Sequence, residues 1–157
     1  MSMIKHPGLL IFCIAVPLLV GALSGFLTQN SMADFAMLQK PPLAPPGIIF
    51  PVVWTILYIL MGAASYLVLT SDAIQKDIDH AITVYGLQLI LNFFWSIIFF
   101  NLEWYLAAFF WLVLLWFAVL YTLLLFRKIS PPAALLLVPY LLWITFAGYL
   151  NLSIYFL

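Results

Sequence analysis

Polar and apolar positions along this chain separate into long blocks instead of alternating. Ionised side chains occur only at Lys5, Asp34, Lys40, Asp72, Lys76, Asp77, Asp79, Glu103, Arg127 and Lys128. The uncharged runs between them are 6–33, 41–71, 80–102, 104–126 and 129–157. Each exceeds the roughly 20 residues that a helix needs to cross about 30 Å of hydrocarbon. Within the bilayer every backbone polar group must be paired internally, so only helices or a closed barrel can span it. Long runs without period-2 alternation exclude barrel strands. The pattern therefore predicts an all-α integral membrane protein, a bundle of five transmembrane helices. They lie near 7–27, 48–70, 81–101, 104–126 and 132–156, in one domain covering 1–157 with a Pro-rich loop at 28–47.

The first span has a second reading. Lys5, the apolar stretch Leu9 to Val20 and the small residues Ala22 and Ser24 also suit a cleavable signal peptide. If the span is retained, an odd number of crossings puts the termini on opposite faces. A cytoplasmic N-terminus then places Lys5, Lys76, Arg127 and Lys128 inside against Lys40 outside, the orientation that basic loop residues favour.

The longest connection contains Lys40-Pro41-Pro42-Leu43-Ala44-Pro45-Pro46-Gly47. Proline fixes φ and moves the preceding residue out of the helical region, so this stretch is expected to be stiff and extended. It suits a cover over the bundle mouth, or a spacer that lets the second span start far from the first.

Composition narrows the function. Hydrophobic residues make up 68% and charged residues 6%, against about 25% charged in soluble domains. Five basic and five acidic residues cancel, which leaves no basic surface for nucleic acid. One cysteine, Cys13, and two histidines, His6 and His80, offer neither a disulfide framework nor a closed zinc site, so no metal centre and no cofactor are expected. The spans hold no Asp, Glu, Lys, Arg or His near their middles, unlike proton relays, ion-coupled transporters and voltage sensors.

What the spans carry instead is amide and aromatic stripes at helical spacing. Tyr85, Gln88, Asn92, Trp95 and Ser96 share one face of the third span. Trp54, Tyr58, Met61 and Ser65 share one of the second, and Tyr140, Trp143, Ala147 and Asn151 one of the fifth. Lipid penalises exposed amides, so these faces point inward. There they either bond one another between helices, at about 0.6 kcal/mol on average, or line a cavity. Tyr58, Gln88, Asn92 and Trp143 fall near mid-membrane, where flat rings and a few neutral polar groups suit a large planar apolar ligand. Gly21 and Gly25 form a GxxxG spacing that permits close helix approach, a dimer face being one reading.

These residues also resemble a known family. Lys40-Pro41 through Pro45-Pro46-Gly47, then Phe50-Pro51-Val52-Val53-Trp54-Thr55-Ile56-Leu57-Tyr58 and Met61-Gly62-Ala63-Ala64-Ser65-Tyr66, are similar to the first loop and second helix of the translocator proteins, also called tryptophan-rich sensory proteins or peripheral benzodiazepine receptors. Gln88-Leu89 with Asn92, Trp95 and Phe99-Phe100 agrees as well, as does Val138-Pro139-Tyr140-Leu141 with Trp143, Phe146, Ala147, Leu150 and Asn151. The resemblance covers nearly the whole chain and implies a retained first helix. It implies a five-helix bundle in a membrane such as the bacterial cell membrane, usually a homodimer. It further implies a pocket, capped by the first loop, that binds porphyrins and hydrophobic drugs. By matching position the pocket would include Pro45, Phe50, Trp54, Tyr58, Gln88, Asn92, Trp95, Trp143 and Ala147, with Phe35 in the loop. Trp54 and Trp143 match the two tryptophans implicated in light- and oxygen-dependent breakdown of protoporphyrin IX.

The departures bear on ligand preference. Asp34-Phe35 and Leu43 stand where the family's loop commonly carries Trp-Tyr and a further Trp. Trp111 replaces an acidic residue of span four, and Tyr155 lacks the following basic residue of the animal cholesterol motif. Three functions are in view: a porphyrin-binding receptor or translocator, a photo-oxidative porphyrin-degrading enzyme, and a membrane scaffold. Haem is expected to be held by shape, because His6 and His80 lie at span ends.

Overall fold

The computed structural model describes residues 6–35 and 49–157. Five helices account for almost all of them: α1 (Pro7–Phe35), α2 (Ile49–Leu69), α3 (Gln75–Ser96), α4 (Tyr105–Ile129) and α5 (Pro131–Phe156). A π-helical turn, Ile97–Asn101, prolongs α3. Each of the five is long and apolar enough to cross a membrane, and the protein is an all-α integral membrane bundle.

Two helices overrun the spans expected from hydropathy by six residues or more, and α4 runs three residues past its expected end, to Ile129. α1 continues to Phe35, eight residues past the expected end at 27 and into the stretch read as loop. The apolar run ends near Thr28, yet Gln29, Met32 and Ala33 are good helix formers, and the first proline after them is Pro41. α3 starts at Gln75 instead of 81. Its first turn carries Asp77, which favours a helix N-terminus, and Gln75 Nε2 donates to Asp79 Oδ1 at 2.7 Å one turn on. Hydropathy measures the bilayer, whereas backbone hydrogen bonding carries a helix on into the polar layer.

Around the bundle the helices follow the cyclic order α1, α2, α5, α4, α3, with α2 also touching α3 across the interior. One end holds the start of α1, the α2–α3 turn and the α4–α5 turn, and carries Lys76, Arg127 and Lys128. A bond from the His6 backbone N–H to the Tyr66 hydroxyl, 2.9 Å, ties α1 to α2 there. The opposite end holds the close of α1, the start of α2, the π turn and the close of α5.

α1 and α2 cross closely for a legible reason. Pro17 lies inside α1 and has no N–H for the Cys13 carbonyl four residues back. Gly62 of α2 is set against that carbonyl: a Cβ there would lie 2.6 Å from both Cys13 O and Ile14 Cα. A glycine hydrogen in that place brings a Cα–H toward an oxygen that has lost its helical partner. Elsewhere indole donors join helices: Trp111 Nε1 to Leu91 O (2.7 Å) holds α4 to α3, and Trp116 Nε1 to Thr145 Oγ1 (2.9 Å) holds α4 to α5.

Candidate functional site

In the half of the bundle opposite the basic turns, α1, α2, the α3–π junction and α5 enclose a cavity of about 790 Å³, within the range of about 300–1,000 Å³ usual for small-molecule sites. All of its described lining residues are uncharged. α2 supplies Phe50, Pro51, Trp54, Thr55 and Tyr58; α5 supplies Trp143, Ala147, Leu150, Asn151 and Ile154. Trp95, Ser96, Phe99 and Phe100 close a third side, and α1 contributes Leu18, Gly21, Ala22, Ser24, Gly25 and Gln29.

The rings brace one another. Trp54 stacks on Tyr58 with centroids 5.6 Å apart and planes at 28°. It also meets Trp143 at 6.5 Å and 89°, and Tyr140 at 6.2 Å and 72°. Phe50 packs edge-on to Trp143 at 5.9 Å, and Trp95 stacks on Phe99 at 5.1 Å. These offset and edge-to-face geometries are the favourable ones for aromatic quadrupoles, so the walls are mutually locked. Trp95 is fixed further by Nε1 donating to Asn151 Oδ1 at 3.1 Å, and Asn151 Nδ2 donates on to Tyr105 O at 2.7 Å.

A buried polar chain lies behind the aromatic wall. Tyr58 donates to Asn92 Oδ1 at 3.0 Å, Asn92 Nδ2 to the Tyr140 hydroxyl at 2.8 Å, and Tyr140 to Gln88 Oε1 at 2.6 Å. Gln88 Nε2 ends the chain against Met61 Sδ at 3.9 Å. Gln88 and Asn92 are each 1% exposed. They do not line the cavity, where the family resemblance puts them; of the two roles the stripes left open they take the bonding one, joining α3 to α2 and α5 behind it. Trp143 differs from these groups, because its buried Nε1 has no acceptor among the described residues.

Of the residues expected from sequence, the structure gathers Phe50, Trp54, Tyr58, Trp95, Trp143 and Ala147 around one space. Pro45 lies outside the described residues, as does the proposed cover; Phe35 ends α1, and its side chain is likewise not described. His6 and His80 sit at the far end of the bundle, where His80 Nε2 lies 2.8 Å from the Tyr121 hydroxyl. Sequence reasoning missed the α1 wall. The Gly21–Gly25 face considered for a dimer is turned inward, onto Tyr58 and the cavity; its small residues were the available signal. Phe99 continues the third-span stripe one turn past Trp95 and, with Phe100, stood in the family motif, whereas the direction of Phe100 depends on the π turn.

The TspO/MBR family profile matches residues 13–157. The chain is 42% identical over 146 residues to the tryptophan-rich protein TspO of Chlorobaculum tepidum, covering 92% of each chain. It is 38% identical over 149 residues to the tryptophan-rich protein TspO of Archaeoglobus fulgidus, covering 94% of this chain and 95% of that one. It is 39% identical over 139 residues to the translocator protein of Ovis aries, covering 85% and 82%.

Proposed function

Because the chain belongs to the TspO/MBR family, we propose that its aromatic cavity binds a porphyrin, protoporphyrin IX or a haem-type tetrapyrrole, and other flat hydrophobic molecules, as a membrane receptor or translocator. The observation that supports this most is the wall itself: Trp54, Tyr58 and Trp143, braced at fixed angles around about 790 Å³ of uncharged space. Flat rings offer dispersion area without a polar group that must be matched. Haem would be gripped by its faces, since His6 and His80 are remote from the cavity.

Titration of the purified protein with protoporphyrin IX in darkness tests the reading. Tryptophan emission is expected to quench saturably. Trp54→Phe and Trp143→Phe are each expected to weaken affinity by about two- to tenfold, from about 0.5–1.5 kcal/mol for one aromatic contact. Quenching that stays linear to the solubility limit would sink the proposal.

The pairing of Trp54 and Trp143 at 6.5 Å on one cavity favours a second reading, photo-oxidative porphyrin breakdown. The protein would orient the pigment and exclude side reactions while the excited porphyrin passes energy to oxygen. Loss of the Soret band should then require both light and oxygen, and either Phe variant should slow it more than it weakens dark binding. Assembly as a homodimer is a separate proposal, tested by the mass of the detergent-solubilised particle.

A further inference from the structure

We infer that Gly21 of α1 is the positioning residue of the cavity, because the notch left by its missing side chain seats the Tyr58 ring; this rests on the binding reading above. A Cβ at Gly21 would lie 2.4 Å from Tyr58 Cε2 and 2.8 Å from Cδ2, closer than side-chain atoms approach. The ring has no easy retreat. Trp54 stacks on it, and its hydroxyl is committed to Asn92, the first link of the chain through Tyr140 to Gln88. The open space beside it is the cavity, which both Gly21 and Tyr58 line.

Seating therefore does two things. It keeps the ring flat against α1, so the cavity retains its volume. It also points the phenol proton at Asn92 and away from a ligand, so the ring presents area instead of a donor. A methyl group at residue 21 forces a choice between pushing α1 outward and driving the ring into the cavity, and the second breaks the bond to Asn92. Gly25, one turn along the same face, is different: a Cβ there meets nothing within 4 Å. A general requirement for small residues would treat the two glycines alike, whereas seating of Tyr58 separates them.

The test combines Gly21→Ala, Gly25→Ala, Gly86→Ala, Tyr58→Ala and the double variant Gly21→Ala/Tyr58→Ala. Gly21→Ala is expected to weaken dark protoporphyrin IX binding by roughly tenfold, the scale of an overpacked site, and to weaken a small one-ring ligand much less. Gly86→Ala, on α3 outside the cavity and with nothing within 4 Å of the added Cβ, should bind as the wild type, and Gly25→Ala should weaken binding less than Gly21→Ala does. In the Tyr58→Ala background the Gly21→Ala change should cost nothing, because the ring it displaces is gone. Ultraviolet resonance Raman of the unliganded protein supplies a readout independent of binding. The tyrosine contribution that disappears in Tyr58→Phe should lose its hydrogen-bond-donor signature in Gly21→Ala and keep it in Gly25→Ala. An unchanged Tyr58 signal in Gly21→Ala, or an equal loss of affinity with and without the Tyr58 ring, overturns the inference. Absence of saturable quenching in the wild type overturns the porphyrin reading alone, and the Raman comparison still decides the seating.

Discussion

A single residue, Asn92, shows how the same chemistry serves packing or binding according to what stands opposite. It accepts from Tyr58 and donates to Tyr140, so Asn92→Leu strips a partner from each of two buried hydroxyls. Tyr58 is then orphaned at a cost of about 1–3 kcal/mol, while Tyr140 keeps its bond to Gln88; bonds between membrane helices average only about 0.6 kcal/mol because the unfolded chain in lipid finds other partners. Asn92→Leu is therefore expected to lower the thermal midpoint in detergent by several degrees while leaving saturable porphyrin quenching in place. Lost binding at unchanged stability would make Asn92 a ligand contact after all. That Gln88 and Asn92 face inward was readable from spacing and from the cost of amides in lipid. Which inward role they take was not, because it turns on Tyr140, 52 and 48 residues away in the chain.

Helices follow the same logic at a larger scale, and the crossing of α1 and α2 is the sharpest case. Gly62 meets backbone atoms of Cys13 and Ile14, which cannot swing aside as a side chain can. Gly62→Ala should force the helices apart and cost about 1–3 kcal/mol, seen as faster unfolding and faster proteolysis; an unaltered midpoint would mean that the crossing is more yielding than its geometry. The number of helices, their order and their approximate centres were legible in the charge map, since burying a charge in lipid is the strongest penalty in the chain. Their ends were less so. α1 and α3 extend past the apolar runs because water-exposed turns still satisfy their own backbone, and the breakers that would stop them lie further off. The cavity wall was legible on α2, on α5 and at Trp95. On α1 it is written only in small residues, and at Phe100 it depends on the π turn, whose widened register has no side-chain signature.

For the whole molecule the decisive asymmetry is that the cavity and the described basic residues occupy opposite ends. Lys76, Arg127 and Lys128 sit at the turns between α2 and α3 and between α4 and α5, while the cavity lies toward the end where α1 closes and α2 begins. Basic residues in short loops are retained on the cytoplasmic side, so the bundle should stand with its N-terminus inside and its cavity toward the outer face. Exposed single cysteines can read this, because the native Cys13 is buried and should react slowly. In intact cells a membrane-impermeant maleimide is expected to label Glu103→Cys, on the turn after the π segment, and to spare Lys76→Cys until the membrane is opened. The reverse pattern would invert the molecule. Orientation then fixes how a ligand arrives: in sealed vesicles of known sidedness, protoporphyrin IX added to the Glu103 face should quench tryptophan at once. Added to the Lys76 face, it should quench only as fast as it crosses the lipid.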